Sequence, residues 1–250
     1  ANENLVFEIK RDEVGETYAN TVSVNCGDLG VNSFFVRVRV SDAAGNAWES
    51  DAIPVSVTDN AAPTIDGFAS GVGQTLDGNG SAILDATTYI TSASDNCTAS
   101  GSLLFEVSEQ SGSGFASTIA LDCNDVGDQT FYFRVVDASG NPSAETVETI
   151  TISDNAAPTA VANDVTLFLS GGQATLLATN GTLNTSTDNC GISASEVKLS
   201  SDSDDAYASS LVFSSEGDFD VTLRVTDASG NASTATSIIS VLFQVVGGCI

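Results

Sequence analysis

One pattern recurs three times and limits how this chain can fold: a strand, a tight D-x-x-G-N turn and a second strand. The turns begin at Asp42, Asp137 and Asp227, which are 95 and 90 residues apart. A D-N-A-A-P linker begins at Asp59 and again at Asp154, also 95 residues apart. Self-similarity at a fixed period is typical of a tandem array, so we expect function to reside in repeated units.

The period predicts three repeats of immunoglobulin-like size. We expect a partial repeat at residues 1–58, which lacks the first strands, and complete repeats at 59–153 and 154–250, the last with a divergent end. About 90 residues are enough for one sandwich with its own core. Short apolar segments alternate with turn signals, and no segment keeps a helical period. The sequence predicts an all-β fold of tandem immunoglobulin-like β-sandwich repeats in an elongated rod.

The strand before each D-x-x-G-N turn shows the alternation expected of a half-buried strand. Apolar residues at every second position predict the core face: Val36, Val38 and Val40, then Phe131, Phe133 and Val135, then Val221, Leu223 and Val225. Arg39, Arg134 and Arg224 occupy one equivalent position on the opposite face. We expect each to pair with a cross-strand carboxylate such as Glu145 or Glu148, with a ligand-binding arginine as the alternative.

The first repeat aligns with only the second part of the others. Residues 5–9 match residues 103–107, and a further strand is predicted at residues 21–24. The missing strands would lie upstream in a longer parent protein or be supplied by another chain.

The charge balance narrows the possible partners. The net charge is −26, with 33 acidic residues, seven basic residues and no histidine. We therefore expect no nucleic-acid partner and no membrane insertion, an anionic membrane surface is disfavoured, and cations are the natural counter-charges. The alternative is that the acidic excess only maintains solubility. No apolar run is long enough to insert into a membrane as a helix. Without histidine, Ser-His-Asp and Cys-His catalysis are excluded within the chain, and we expect no enzymatic activity.

The motifs D-N-A-A-P, D-N-C, L-D-C-N-D-V-G and V-x-D-A-S-G-N resemble those of hyalin-type (HYR-like) and related immunoglobulin-like repeats. Such repeats form arrays in secreted surface adhesins of Bacteroidota, including gliding-motility adhesins. The resemblance covers the second and third repeats and the back half of the first. It implies an extracellular, cell-surface stalk, whose partners are other repeats of the same protein and an unknown surface or glycan target. The linker is also similar to cadherin junctions, where acidic residues of two repeats hold calcium.

Topology gives a separate argument for calcium. In a seven-strand sandwich the last hairpin turn returns to the end where the chain enters, so each turn should lie near its own preceding linker. Carboxylate and amide oxygens that converge there suit a hard cation such as calcium. The candidate ligands are Asp59, Asn60, Asp137 and Asn141 at one linker, and Asp154, Asn155, Asp227 and Asn231 at the next. The turn also has a purely mechanical interpretation, in which Asp caps it and Gly supplies a positive φ.

The recurring cysteines indicate an exported protein. Cys97 and Cys123 are the one pair within a complete repeat, and we predict that they form a disulfide. Cys190 and Cys249 are then left to pair with each other or outside the chain. The simplest topology places Cys97 and Cys123 at opposite ends of the repeat, in conflict with this pairing. Preferring the disulfide makes Asp95 and Asp188, which stand in the D-N-C loops, weaker metal candidates than the linker and turn residues.

These observations favour a non-catalytic structural segment of an adhesin, with junctions rigidified by calcium. One alternative is a self-assembling surface filament subunit, in which a neighbour fills the first repeat and the apolar tail at residues 241–250 is a candidate donor. A carbohydrate-binding module is a further alternative that requires an aromatic platform. Trp48 is the only tryptophan available for such a platform.

Overall fold

A computed structural model describes residues 4–243. The chain forms two compact units. The first takes in the residues up to Ser70 together with Ala86–Ser117 and Tyr132–Val147. The second takes in Gly71–Asp85, Thr118–Phe131 and the residues from Glu148 onward.

The described chain is built almost entirely of strands, which confirms the predicted all-β, immunoglobulin-like fold. The strands are β1 (Val6–Arg11), β2 (Gly30–Ser41), β3 (Ala47–Glu49), β4 (Ile53–Val57), β5 (Thr64–Phe68), β6 (Gln74–Thr75), β7 (Ser81–Asp85), β8 (Ile90–Ser94), β9 (Leu104–Ser108), β10 (Thr118–Asp122), β11 (Gly127–Val136), β12 (Thr146–Ser153), β13 (Val165–Leu169), β14 (Ala174–Leu177), β15 (Ile192–Leu199), β16 (Ser210–Phe213), β17 (Gly217–Asp227) and β18 (Ala232–Phe243). One α-helical turn, α1 (Ala86–Tyr89), links β7 to β8, and short 3-10 helices lie at Cys26–Asp28, Ser100–Ser102, Cys123–Asp125 and Asp204–Ala206. Among residues 4–243, no helix is long and apolar enough to cross a membrane.

In the first compact unit, β2 is the central strand of a sheet that also contains β1, β3 and β4. Phe7 lies opposite Val40 and Ile9 opposite Val38 in the antiparallel register of β1 and β2. Strand β5 pairs with β8, and β9 pairs with the last five residues of β11. The core there is aromatic: the ring of Phe133 lies 5.2 Å from that of Phe68 and 5.1 Å from that of Tyr89.

The second compact unit contains a sandwich with two distinct sheets. One sheet has the strand order β13-β18-β17-β15, with β13 parallel to β18, and β14 pairs with β16 in the other. Residues from all six strands share one core, which includes Val165, Leu176, Val197, Phe213 and Leu223. In the same unit, β10 pairs with β7 and β6 pairs with the end of β12.

The predicted core faces of the strands before the turns are confirmed in the second and third repeats. Phe131, Phe133 and Val135 are at most 1% exposed, and Val221, Leu223 and Val225 are fully buried. In the first repeat, by contrast, Val36 is buried but Val38 and Val40 are only half-buried. The alternation of side chains along each strand places these residues on the inner face. The extent to which they are buried depends on how far a second layer covers that face.

The same face of the first repeat exposes large apolar side chains. Phe7 and Trp48 are each 63% exposed, and they lie on either side of Val40 in the register of β1, β2 and β3. Ile53 on β4 is also exposed. Among residues 4–243, the inner face of this sheet around Val40 is therefore less covered than the equivalent faces.

The predicted strand at residues 21–24 is wrong, because no described strand or helix includes these residues. Their counterpart in the second repeat is β10, which is held by five residue pairs with β7. The first repeat has no described strand that corresponds to β7. A strand without a neighbour has no ladder of hydrogen bonds to form, so the local β propensity is not realised.

Candidate cation sites

Each site begins with the hairpin turn, whose aspartate organises its own backbone. Asp137 Oδ1 accepts hydrogen bonds from the N–H groups of Ser139 (2.9 Å) and Asn141 (2.7 Å), and Oδ2 accepts from Asn141 Nδ2 (2.7 Å). Gly140 has a φ of 90°, the left-handed conformation that glycine permits. Burial alone would raise the pKa of Asp137, but these hydrogen bonds together outweigh it and hold the pKa below its ordinary value. The mechanical interpretation of the D-x-x-G-N turn is therefore supported.

The turn also holds the preceding linker, as topology predicted. Asn141 Nδ2 donates to the backbone oxygen of Asp59 at 3.0 Å. Asn231 Nδ2 donates in the same way to the backbone oxygen of Asp154, also at 3.0 Å. In both places one amide connects the turn aspartate with the linker.

These contacts bring acidic side chains together in two clusters. Carboxylate oxygens of Asp59, Asp95 and Asp137 all lie within 4.8 Å of one another. The second cluster has the same distances and contains Asp154, Asp188 and Asp227. Of the other predicted ligands, Asn60 and Asn155 are exposed, while Asn141 and Asn231 are half-buried. We name the two groups the Asp59 cluster and the Asp154 cluster.

The Asp59 cluster contains buried oxygens without a hydrogen-bond partner. Asp59 Oδ1 accepts from the N–H of Ala61 (3.1 Å) and from Asn96 Nδ2 (3.3 Å), but Oδ2 is buried without a partner. Asp95 Oδ2 accepts from the N–H groups of Cys97 (2.9 Å) and Thr98 (2.8 Å), and Oδ1 is likewise unpartnered. A buried carboxylate oxygen left in this state is costly, so a positive group is expected beside it.

The Asp154 cluster repeats this arrangement. Asp154 is only 3% exposed; its Oδ1 accepts from the N–H of Ala156 and from Asn189 Nδ2, both at 3.1 Å. Asp188 Oδ2 accepts from the N–H of Cys190 at 2.9 Å. Asp154 Oδ2 and Asp188 Oδ1 are both buried without a partner. The same two kinds of oxygen are therefore free in both clusters.

The basic side chains are engaged elsewhere. The ion pairs are Arg11 with Asp28, Arg37 with Asp12, Arg39 with Glu8, Arg134 with Glu106, Lys198 with Asp204 and Arg224 with Glu196. Lys10 lies over the ring of Tyr18. Within residues 4–243, no lysine or arginine forms an ion pair with a cluster aspartate. The basic side chains of residues 4–243 therefore do not neutralise the three adjacent carboxylates of either cluster.

The donor set fits calcium. Each cluster offers one carboxylate oxygen from each of three aspartates. Carboxylate oxygens are ligands that suit a hard cation. Ligands on opposite sides of a calcium ion are separated by about 4.6–5.2 Å. Oxygens within 4.8 Å of one another can therefore share one coordination sphere. Each cluster could therefore hold one divalent cation.

The arginine position has a structural explanation, but the predicted partners are wrong. Arg134 pairs with Glu106 on β9, not with Glu145 or Glu148 on the other side, and stacks 3.9 Å from the ring of Phe115. Glu145 accepts instead from Ser111 Oγ and the N–H of Gly112, and Glu148 from the N–H of Gly71. The same arrangement recurs twice: Arg39 with Glu8 and Tyr18, and Arg224 with Glu196 and Tyr207.

The predicted disulfide between Cys97 and Cys123 is also wrong. Cys26 bonds to Cys97, and Cys123 bonds to Cys190, with Cα atoms 5.1 and 5.3 Å apart. A pairing of Cys190 with Cys249 is excluded as well, and Cys249 lies outside the described residues.

The corrected pairing follows the two compact units. Cys26 and Cys97 both belong to the first unit, and Cys123 and Cys190 both belong to the second. Thr98, beside Cys97, accepts a hydrogen bond at Oγ1 from the N–H of Ala138 in the turn that follows β11. Each D-N-C loop therefore packs within its own unit, where its cysteine comes within the ~7 Å Cα separation that a disulfide allows.

Asp95 and Asp188 belong to the two clusters, although the sequence alone ranks them below the linker and turn residues. Their lower rank follows from the predicted Cys97–Cys123 disulfide, which would place the D-N-C loop at the other end of the repeat. The recurrence of D-N-C before Cys97 and Cys190, in register with the linkers, is the signal that could have identified them. Pairing each D-N-C cysteine with the preceding repeat removes the conflict.

No known protein family and no curated protein matches the sequence. Several solved structures have a similar fold. Extracellular cadherin domains 3–6 of protocadherin gamma B2 align with a TM-score of 0.37 and 12% identity, over 95% of this chain and 66% of that one. Extracellular domains 3–5 of Drosophila OTK align with a TM-score of 0.34 and 8% identity, over 96% and 86%. An endo-fucoidan hydrolase of glycoside hydrolase family 107 aligns with a TM-score of 0.29 and 16% identity, over 97% of this chain but 39% of the enzyme. These similarities concern the fold alone.

Proposed function

We propose that this chain is a non-catalytic structural segment of an extracellular adhesin, in which calcium stabilises the linkers between tandem sandwiches. The repeats would be those at residues 1–58, 59–153 and 154–250. The observation that carries the proposal is the buried, unpartnered Oδ2 of Asp59 and of Asp154. Both residues begin a D-N-A-A-P linker, so the same unpartnered carboxylate oxygen occurs at the start of both proposed complete repeats.

The proposed ligands combine three chain segments at each linker. They are the carboxylates of Asp59, Asp95 and Asp137 at one site, and of Asp154, Asp188 and Asp227 at the other. Asn141 and Asn231 position the linker, while Asn60 and Asn155 are candidate ligands at the exposed side. A cation held in this way joins the linker, the D-N-C loop and the hairpin turn, and opposes their separation.

The environment in which such a protein works is consistent with these sites. Two disulfides indicate an oxidising compartment such as the cell exterior. Extracellular calcium modules bind with dissociation constants of about 10⁻⁴–10⁻³ M. We therefore propose a cell-surface location, other repeats of the same protein as neighbours, and an unidentified surface or glycan target. The resemblance to hyalin-type repeats of Bacteroidota adhesins belongs to the same proposal.

A thermal melt with and without calcium tests this function. With 5 mM calcium chloride the transition should move upward relative to chelator, because binding to the folded state adds RT ln(1 + [Ca]/Kd) per site. Magnesium at the same concentration serves as the control, because its smaller sphere suits these distances less well. An unchanged transition, together with no binding by calorimetry, would remove calcium from the proposal.

The open inner face of the first repeat favours a second candidate, a self-assembling surface subunit. Phe7 and Trp48 on this face would be covered by strands from another copy. The predicted donor at residues 241–250 is wrong in its first part, because Val241 is fully buried in β18 and pairs with Leu167 of β13. The remainder lies outside the described residues. Light scattering across a concentration series tests assembly, and a monomer throughout, with Trp48 emission fixed at its solvent-exposed wavelength, would contradict it.

A further inference from the structure

The D-N-C loop connects a disulfide directly to two carboxylates of the Asp59 cluster. The backbone N–H of Cys97 donates to Asp95 Oδ2 at 2.9 Å, while its sulfur is bonded to Cys26. Asn96, between them in sequence, donates from Nδ2 to Asp59 Oδ1 at 3.3 Å. Through one tripeptide, the position of the disulfide therefore affects the positions of the Asp59 and Asp95 carboxylates.

The second D-N-C loop has the same contacts. The N–H of Cys190 donates to Asp188 Oδ2 at 2.9 Å, and its sulfur is bonded to Cys123. Asn189 donates from Nδ2 to Asp154 Oδ1 at 3.1 Å. Because the arrangement recurs at the second cluster, chance does not readily explain why a disulfide lies beside each cluster.

The partner cysteines open short 3-10 helices whose ends are held by hydrogen bonds. Cys26 opens a 3-10 helix with a capping box, in which Asn25 accepts from the N–H of Gly27 and Asp28 accepts from the N–H of Asn25. Arg11 further binds both oxygens of Asp28, at 2.7 and 2.6 Å. Cys123 opens an equivalent 3-10 helix with its own capping box. Each D-N-C loop is thus covalently fixed to a well-anchored support.

Electrostatics give this fixation a consequence for binding. Three carboxylates within 4.8 Å repel one another when no cation is present, and a free loop would swing its aspartate away. The disulfide and the capped 3-10 helix to which it is bonded oppose this movement, and so favour the geometry in which the ligands face the ion. Preorganisation of this kind raises affinity, because binding no longer has to order the loop.

We propose that the two disulfides are positioning elements of the calcium sites: each holds the aspartate of its D-N-C loop in the binding geometry. The Cys26–Cys97 bond sets the calcium affinity of the Asp59 cluster, and the Cys123–Cys190 bond sets that of the Asp154 cluster. The inference rests on the proposed calcium function. By linkage, the coupling is reciprocal, so bound calcium protects each disulfide against reduction.

The direct test measures calcium binding by calorimetry on the full chain and on two double variants, Cys26→Ser with Cys97→Ser and Cys123→Ser with Cys190→Ser. The first should weaken one of two sites by about tenfold or more and leave the other unchanged, and the second should do the converse. A disulfide without a positioning role would leave both calcium affinities unchanged in a variant that is folded. Circular dichroism establishes that each variant is folded. Equal affinities in a folded variant and the parent chain would overturn the inference.

The outcome for the parent chain separates the two proposals. If the chain with both disulfides binds no calcium, the proposed function fails. If it binds two ions and the double variants bind them equally well, only the role of the disulfides fails.

A second measurement does not depend on the variants folding. Dithiothreitol reduces each disulfide by exchange, giving two cysteine thiols and cyclic oxidised dithiothreitol, and mass spectrometry after alkylation identifies which cysteines were released. At equilibrium in a mixture of reduced and oxidised dithiothreitol, calcium should lower the released fraction of Cys26 and Cys97 several-fold in the parent chain. Asp95→Asn should abolish that protection while Cys123 and Cys190 stay protected. Equal released fractions with calcium and with chelator, in a chain shown to bind calcium, would overturn the inference.

Discussion

Asn141 Nδ2 donates a hydrogen bond to the backbone oxygen of Asp59, which lies 82 residues earlier in the chain. The same nitrogen donates to Oδ2 of Asp137. A single amide therefore joins the hairpin turn of the second repeat to the linker with which that repeat begins. The recurrence of this contact at Asn231 and Asp154 shows that the D-x-x-G-N motif has a long-range role besides forming its own turn.

Replacing Asn141 with alanine should reveal the cost of that contact. Loss of the amide leaves a backbone carbonyl and a buried carboxylate each short of one donor, which should lower the free energy of unfolding by about 1–3 kcal/mol. Asn46→Ala is the matched control, since Asn46 occupies the same turn in the first repeat, is exposed and donates to Asp42. Urea unfolding measures both. Equal losses for the two variants would show that only the local turn matters.

The substitution Asp59→Asn should have opposite consequences with and without calcium. In chelator it removes one of three mutually repelling charges, so stability should be unchanged or higher. With calcium it removes a ligand, so the rise in melting temperature that calcium produces should fall by about half if the two sites contribute equally. Asp205→Asn, at an exposed position outside both clusters, should leave the calcium response intact. A full calcium response in Asp59→Asn would argue against this site.

Acid should lower the stability of the first repeat, because Asp28 becomes protonated. The hydrogen bond from Arg11, supported by the N–H of Asn25, lowers the pKa of Asp28 from 3.8 to about 2. A carboxylate whose folded-state pKa is depressed stabilises the fold above its ordinary pKa, and this contribution disappears as the pH falls from about 4 towards 2. Melts at intervals across this range, in calcium-free buffer, should therefore show a steeper decline for the parent chain than for Asp28→Asn. Parallel declines would contradict the assignment.

Two equivalent valines test whether the inner face of the first repeat is covered in solution. Val135 is fully buried in β11, so Val135→Ala should cost about 2–3 kcal/mol from lost burial and a residual cavity. Val40, its counterpart in β2, is half-buried between Phe7 and Trp48, and Val40→Ala should cost less than half as much. Chemical denaturation at low protein concentration provides the comparison. A cost for Val40→Ala that grows with protein concentration would instead indicate cover by another copy.

The sequence predicted what depends on periodicity and on connectivity along one strand. Alternating residues such as Phe133 and Leu223 face the core because side chains alternate in a strand. The proximity of Asp137 to Asp59 followed from the return of a hairpin to the end where the chain enters. What could not be predicted depends on choices between equivalent neighbours. Arg134 could have paired to either side, and its partner is decided by the stacking surface that Phe115 offers.

The cysteines show the same limit more clearly. Cys26 and Cys123 open equivalent 3-10 helices, and Cys97 and Cys190 end equivalent D-N-C loops. Such a pattern permits bonding within a repeat or between successive repeats. The choice depends on which ends of the strands meet, which no local pattern contains. The strand expected at residues 21–24 failed for a related reason, since its propensity was right but its pairing partner was absent.

The two disulfides also determine how the chain would respond to force. Each bond closes a loop, since Cys26 and Cys97 are 71 positions apart in the sequence and Cys123 and Cys190 are 67 positions apart. Tension applied at the chain ends bypasses a closed loop, so those residues cannot lengthen the molecule even when they unfold. Each loop withholds roughly 230–250 Å of extension at full stretch. A surface protein built this way would yield only short increments under shear, and a reducing environment would convert it into a far more extensible tether.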